Sequence, residues 1–304
     1  MKTDRKQINK VVQPDHSLKT SSASSCHILS PFPFDHRNNC QEMDYSIIAS
    51  ELITNIKSGG TAGHSNGLSK IESQQWNGKF LLGLHEPMRH CICIMNSLFN
   101  CLMSSSSSPK KALFTFFRWY RKYFMVYIKC QYRVKTKLLF PFLHLRYNEK
   151  LRILESYTDI IALMEKILEI KNSLHANPRY LDDDTRKSFF LTRIQEDIQK
   201  LGTIVNETLT IEERLFHPAL SRTFTEDEFV KYMMPKVFHI IRPKRAMIPW
   251  IIECSKPWDQ QRGSFAYKNA LSFFHRIFYK LFWYRHWKKN VLVPMQSMVA
   301  PELL

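Results

Sequence analysis

Four long amphipathic segments separated by short links constrain the fold of this chain more than any other feature. Apolar side chains recur every three or four residues in each segment, a spacing that places them on one face of an α-helix. Helices of similar length joined by short links are typical of a bundle that runs alternately up and down. In chain order the four stripes are His85, Met88, Ile92, Met95, Phe99 and Leu102; Phe117, Tyr120, Phe124, Tyr127, Gln131, Lys135 and Leu138; Asn148, Leu151, Leu154, Thr158, Ile161, Met164 and Leu168; and Phe190, Ile194, Ile198, Leu201, Val205, Thr208, Glu212 and Leu215.

Turn-forming residues predict where two of these helices end and where the fourth begins. The second segment should stop before Pro141 and the fourth before Pro218, because proline lacks the N–H that continues a helix. Asp184 or Thr185 is the predicted N-terminal cap of the fourth helix, since short oxygen-bearing side chains accept hydrogen bonds from the first free backbone N–H groups.

Composition divides the chain into three regions. Residues 1–76 are mostly polar and predict a disordered region with one short amphipathic helix around Ile47–Ile56. Residues 77–222 contain the four periodic segments, and residues 223–304 form a basic, aromatic-rich extension with further helical patterns. The sequence therefore predicts an all-α protein, with an up-down-up-down four-helix bundle and a C-terminal helical extension.

Charge and cysteine usage narrow the compartment and the partners. The formal net charge of +17 favours anionic partners such as an acidic protein or an anionic membrane surface. The seven cysteines include no pair spaced as in zinc ribbons, and no signal peptide or membrane-spanning run is present. We therefore expect an intracellular protein of the cytoplasm or nucleus that is not secreted. No nucleic-acid-binding module supports a nucleic acid as the partner.

Basic and aromatic residues alternate through the last segment, from Phe265 to about Asn290. This pattern is typical of a helix that lies on an anionic membrane surface, and it equally suits a helix that packs on the bundle. Both interpretations stay open at the sequence level. The candidate contacts to an anionic surface are Arg276, Lys280, Arg285, Lys288 and Lys289.

Six polar residues interrupt the apolar stripes at positions that would lie at about one level of the bundle. A buried polar group without a partner costs about 1–3 kcal/mol, so these residues require one another or a ligand. Bundles that bind metal place histidine and carboxylate ligands in this arrangement. The six residues are His85, Gln131, Lys135, Asn148, Thr208 and Glu212.

Several short motifs resemble the hemerythrin-like, or HHE cation-binding, family. His85-Glu86-Pro87-Met88 resembles the start of the family's first helix. Leu138-Leu139-Phe140-Pro141-Phe142-Leu143 and Glu212-Glu213-Arg214-Leu215-Phe216-His217-Pro218-Ala219-Leu220 resemble its two recurring helix ends. Residues 224–228 and 247–251 look like the hemerythrin repeats of plant BRUTUS-type iron-regulatory proteins. The resemblance covers residues 78–255 and implies a bundle built around a cation site.

The same resemblance implies that most metal ligands have been lost. Only His85 and Glu212 keep a ligand type, while Gln131, Asn148 and Thr208 occupy the other histidine positions and Lys135 occupies a carboxylate position. We therefore expect a degenerate, non-catalytic member of the family that has no cofactor and acts as an interaction or regulatory scaffold for a protein partner. The alternative is a sensor or store that holds iron or another cation such as zinc through His85, Glu212 and further residues.

The substitution at position 135 predicts a replacement for the metal. Lys135 should face Glu212, and a buried ion pair between them, hydrogen-bonded by Gln131, Asn148, Thr208 and His85, would fill the centre. In the opposing interpretation Lys135 points outward and Glu212 is a surface acid. Because neighbouring helix positions point about 100° apart, we also expect one of Glu212 and Glu213 to face solvent.

Overall fold

Long helices account for nearly all of the chain that the structure describes. The structure is a computed structural model and describes residues 68–104, 109–255, 265, 269 and 271–299. No β-strand occurs in these ranges, which confirms the predicted all-α class. The N-terminal region 1–76 is predicted to be mostly disordered. Residues 1–67, and with them the predicted helix at Ile47–Ile56, lie outside the described residues, while residues 68–76 are described and contain a helix at Lys70–Gln74.

Up to Ser255, the helices follow one another with short connections. Three of them, at residues 110–142, 226–240 and 273–299, continue through π-helical turns that we include in their ranges. In chain order the helices are α1 (Lys70–Gln74), α2 (Trp76–Ser104), α3 (110–142), α4 (Tyr147–Ala176), α5 (Asp184–Thr223), α6 (226–240), α7 (Lys244–Ser255) and α8 (273–299), and a 3₁₀ turn lies at Pro178–Leu181.

Three of the predicted helix boundaries are wrong. Asp183, one residue earlier than expected, caps α5 because its carboxylate accepts hydrogen bonds from the backbone N–H groups of Thr185 and Arg186. Pro218 lies inside α5, where burial of the following turn, Ala219 and Leu220, keeps the helix intact to Thr223. Pro141 lies in the last turn of α3, directly after a π turn at which the hydrogen-bond register has already changed.

Three of the four predicted stripes coincide with the buried faces of α2, α3 and α5, and the third stripe is wrong. Helix α4 instead buries a face that crosses the predicted one only at Met164. Most members of the predicted stripe are partly buried or exposed, and Asn148 and Thr158 are exposed. The residues that α4 buries are Ile153, Tyr157, Ile160, Met164, Ile167, Ile170 and Leu174.

Helix α5 packs against α2 on one side and α4 on the other. At Gly202 the backbone of α5 approaches α2 so closely that an added Cβ would lie 2.7 Å from Ile92 Cγ2. Helix α3 contacts α2 and α6, and α7 packs along α2. Helix α5 is therefore enclosed by neighbours over a wide arc of its circumference.

The C-terminal helix α8 packs on the helices that precede it. It contacts α7 along its middle and meets α2 and α3 near its end. Tyr279, Trp287 and Val291 are buried on this side, and the Tyr279 hydroxyl donates a hydrogen bond of 2.6 Å to Glu253 of α7. Among the described residues, the structure contains no helix with the length and apolar character needed to cross a bilayer.

Candidate functional site

A buried ion pair occupies the centre of the molecule, where α2, α3, α4 and α5 converge. Lys135 Nζ on α3 lies 2.6 Å from Glu212 Oε2 on α5, and their side chains are 1% and 0% exposed. Lys135 Nζ also donates a hydrogen bond to the Tyr157 hydroxyl of α4. The predicted Lys135–Glu212 pair is confirmed, and the interpretation in which both residues face solvent is wrong.

The charged contacts continue from Glu212 to α2. His85 Nε2 lies 3.2 Å from Glu212 Oε2, and His85 Nδ1 lies 2.9 Å from Glu213 Oε1. Arg89 Nη2 lies 2.8 Å from the same Glu213 oxygen. Glu213 is fully buried, so the expectation that one of the adjacent glutamates faces solvent is wrong. We call the group formed by His85, Arg89, Lys135, Tyr157, Glu212 and Glu213 the ionic network.

Local helix geometry brings these residues together. His85 and Arg89 are four residues apart on α2, the spacing at which helix side chains are neighbours on one face. Glu212 and Glu213 are adjacent on α5, and both are buried because α2 and α4 cover different sides of that helix. Lys135 begins a π turn in α3, a feature that is frequent at functional sites in proteins.

Opposite charges offset one another inside the network. Burial favours the neutral form of Glu212, but the charge of Lys135 and the contact from His85 outweigh it and hold the carboxyl pKa below its ordinary value. Burial lowers the pKa of Lys135, and the attraction of Glu212 only partly opposes this. Burial also opposes the charge of Arg89, but Glu213 and Glu86 overcome it and raise the guanidinium pKa. The two buried carboxylates are thus matched by two buried cations.

The Tyr157 hydroxyl is held in its protonated form. Burial, followed by the negative charge of Glu212, raises the pKa of Tyr157 well above its ordinary value. A protonated phenol both accepts a hydrogen bond from Lys135 and keeps a proton of its own. Tyr157 therefore connects α4 to the ion pair without adding a charge.

The other predicted partners of the pair do not contact it. Gln131 is fully buried, yet it makes no hydrogen bond to Lys135 or Glu212 in the part of the chain that the structure describes. The Thr208 hydroxyl donates to the Ile204 carbonyl of its own helix at 2.7 Å. Asn148 is exposed in the first turn of α4, because the buried face of that helix differs from the predicted one.

Sequence reasoning missed Tyr157, Arg89 and Glu213. The face that α4 buries contains one tyrosine, Tyr157, and otherwise only apolar side chains. The predicted stripe contains the polar residues Asn148 and Thr158, and this difference could have indicated the correct face. Arg89 could have been found from its four-residue distance to His85. The burial of Glu213 depends on how closely α4 and α2 surround α5, and no sequence signal reports that.

The side chains of the network do not fit a di-iron centre. Within residues 68–104, 109–255 and 271–299, no three His, Cys, Asp or Glu side chains are grouped so that they could hold a metal ion. The two predicted ligands, His85 and Glu212, are already in contact with other members of the network, and Lys135 Nζ lies 2.6 Å from the Glu212 carboxylate. An ammonium at that distance would repel a divalent cation. The six side chains of the network therefore have the chemistry of a buried ion-paired cluster.

A surface groove of about 520 Å³ lies between α4 and α5, apart from the network. None of the six network residues lines it. Its wall combines apolar and charged side chains without a grouped histidine or cysteine. The lining residues are Asp159, Ala162, Leu163, Lys166, Lys200, Thr203 and Ile204.

The candidate anionic-surface contacts lie on α8, far along the chain from the network. Lys280, Arg285, Lys288 and Lys289 are exposed. Arg276 is only partly exposed, and its Nε donates a hydrogen bond of 3.1 Å to the Leu271 carbonyl, so it helps to fix the start of the helix.

The chain was compared with protein families, curated proteins and solved structures. No protein-family model, no curated protein sequence and no solved structure matches this chain.

Proposed function

We propose that this chain is a degenerate member of the hemerythrin-like family that acts as a non-catalytic scaffold for a protein partner. In this proposal α2–α5 form the family's up-down-up-down bundle, and the ionic network stands where metal-binding members hold their cation. The observation that carries the proposal is the 2.6 Å contact between Lys135 Nζ and Glu212 Oε2 at the centre of the molecule. Lys135 occupies a position at which the family pattern has a carboxylate.

The charge arrangement supports this replacement. A metal in the bundle centre would neutralise carboxylates, and here Lys135 neutralises Glu212 while Arg89 neutralises Glu213. Buried carboxylates need such partners, because an isolated buried charge is costly by many kcal/mol. The network therefore supplies from the chain itself the positive charge that a cation would bring.

The burial of the network supports a role without catalysis. The six side chains are at most 5% exposed, so a substrate could reach them only if the helices separated. Catalytic groups have to contact the reacting atoms. We infer that the bundle contributes a stable shape and the rest of the surface contributes the contacts to a partner.

Metal analysis of the full-length protein tests the proposal against the iron-binding alternative. Protein purified without chelators and then incubated with excess Fe²⁺ or Zn²⁺ should retain neither metal in whole-number amounts after desalting. Its melting temperature should not rise with added metal, because a ligand that binds the folded state would stabilise it. Stoichiometric iron that is lost in the His85→Ala variant would favour a cation-binding sensor or store instead.

A further inference from the structure

One side of α8 exposes a continuous set of large apolar side chains. Ile277, Phe278, Leu281 and Phe282 are 44%, 51%, 49% and 58% exposed. Positions four residues apart are neighbours on a helix surface, so the four side chains form one patch over consecutive turns. Single exposed apolar residues are common on proteins, whereas a contiguous patch marks an interaction site.

Cations continue this exposed side toward the C-terminus. Arg285 lies four residues after Leu281, and Lys289 lies seven after Phe282, so helical periodicity keeps them on the same side. Both are exposed, as is Lys288. The sequence from residue 260 to residue 301 contains no Asp or Glu. We call the surface formed by Ile277, Phe278, Leu281, Phe282, Arg285, Lys288 and Lys289 the α8 stripe.

Two other helices bring further cations close to α8. Burial lowers the pKa of His286, and the charges of Arg245 on α7 and Lys122 on α3 lower it further. Arg245 and Lys122 are both exposed, and they belong to α7 and α3, which pack against α8. The fold thus assembles a positive surface that the sequence of α8 alone does not contain.

The opposite side of α8 is fixed to the protein. Trp287 and Val291 are 5% and 0% exposed, and Met295 is 1% exposed, so they anchor the helix on the preceding ones. The α8 stripe consequently points outward without any rearrangement of the fold. One side of α8 therefore packs on the protein, and the other side can contact an outside surface.

We propose that the α8 stripe binds the surface of an anionic phospholipid membrane. The apolar half of the stripe can enter the boundary between headgroups and acyl chains, while the cationic half meets lipid phosphates and carboxylates. A second copy of this chain fits less well, because a symmetric contact would bury the stripe's cations against an identical stripe that contains no Asp or Glu to pair with them. This inference concerns a different surface from the ionic network and does not depend on the proposed scaffold.

Vesicle co-sedimentation of the full-length protein tests the proposal. The protein should sediment with vesicles of about three parts phosphatidylcholine to one part phosphatidylserine and not with phosphatidylcholine alone. The variant Phe278→Ser/Phe282→Ser should bind the anionic vesicles at least about tenfold more weakly. The reason is that two aromatic rings, which wild type transfers from water into the membrane, are missing. The variant Arg285→Gln/Lys288→Gln/Lys289→Gln should lose about five-fold for each cation removed, and its residual binding should depend less on salt.

Matched variants control for exposure and for net charge. Phe189 and Tyr232 are 59% and 55% exposed, so Phe189→Ser/Tyr232→Ser removes similar rings elsewhere and should bind as wild type does. Lys137→Gln/Arg152→Gln/Lys200→Gln removes three exposed cations outside α8 and should reduce binding much less.

Three outcomes would overturn the proposal. The first is absence of binding to anionic vesicles by correctly folded wild type, as judged by its circular dichroism. The second is equal weakening by the stripe variants and their matched controls, which would indicate attraction by net charge alone. The third is a wild-type protein that does not bind vesicles but dimerises with increasing concentration, when Phe278→Ser/Phe282→Ser abolishes the dimer. That result would assign the stripe to a second copy of the chain.

Discussion

Lys135 can remain buried only because carboxylates and a tyrosine surround it. An ammonium that is 1% exposed loses nearly all of its hydration, and Glu212 at 2.6 Å and the Tyr157 hydroxyl replace part of it. His85 then links Glu212 to Glu213, which is matched by Arg89. Each charge in the network is neutralised by its neighbour, so removing a single member should weaken the contacts between several helices.

The sequence predicted the centre of the network and missed its extent. Lys135 and Glu212 were found because charged residues at stripe positions must be paired when the stripe is buried. Glu213 was missed because a stripe describes one face of a helix, whereas α5 is covered on two sides. A single-face rule cannot report how many neighbours a helix will have.

His90 provides a pH test outside the network. Burial lowers the pKa of His90 from 6.5 to about 4, and neither ring nitrogen has a hydrogen-bond partner among the described residues. Between these pH values the unfolded chain binds a proton at this residue and the folded chain does not. The free energy of unfolding should therefore fall as the pH falls from about 6.5 to about 4, by up to about 3 kcal/mol from this residue.

Urea denaturation at several pH values measures this contribution. The variant His90→Leu should lose less stability than wild type over the same acid range. His144→Leu, which changes an exposed histidine, should behave as wild type does. Identical acid sensitivity in wild type and His90→Leu would show that His90 is not held neutral by the fold.

At the scale of helices, periodicity predicted where the long segments lie better than which face each one buries. Helices α2, α3 and α5 bury the expected stripes, and α2 and α3 also bury apolar residues on either side of them. Helix α4 carries two crossing stripes that share Met164, one through Leu154 and Ile161 and one through Tyr157 and Ile160. Packing against α5 selects between them, and that choice is a property of the assembled helices.

The close approach of α2 and α5 at Gly202 gives a prediction for this pair of helices. Gly202→Ala would place its methyl group 2.7 Å from Ile92 Cγ2. This carbon cannot move aside freely, because isoleucine is β-branched and its χ1 rotation is restricted. The clash should cost about 1–3 kcal/mol, partly offset by about 1 kcal/mol of improved helix propensity. Urea denaturation should therefore show a net loss of about 1 kcal/mol.

The background variant Ile92→Ala should reverse the sign of this effect. With the methyl group gone, Gly202→Ala should stabilise the protein by about 0.5–1 kcal/mol. Gly83→Ala is the matched control, because its added Cβ would lie 3.7 Å from Ile251 Cγ2, an ordinary contact. Destabilisation of equal size with and without the Ile92 side chain would show that the two helices do not meet as described.

At the scale of the whole molecule, α8 completes the core. Its residues Trp287, Val291 and Met295 are buried against helices that precede it by up to about two hundred residues. The sequence left open whether this segment packs on the protein or on a membrane, because rings occur around much of its circumference. The structure buries one side of it and exposes the other, a division that depends on the surface presented by α2, α3 and α7.

Substitutions on the two sides of α8 should therefore differ in their effect on global stability. Met295→Ala removes a buried side chain and should lower the free energy of unfolding by about 2–5 kcal/mol. Leu281→Ala removes an exposed one and should change it by less than about 0.5 kcal/mol. Urea denaturation followed by far-UV circular dichroism measures both, and similar small effects would mean that α8 is not part of the cooperative core.

A double-mutant cycle between positions 135 and 212 tests the ion-paired centre most directly. Lys135→Met and Glu212→Gln should each lower the free energy of unfolding in urea by about 3–5 kcal/mol, because each leaves an unmatched buried charge. The double variant should lose less than the sum of the two, by about 1–3 kcal/mol, since both charges are then gone. Additivity to within about 0.5 kcal/mol, or a Lys135→Met variant as stable as wild type, would contradict a centre held by this pair.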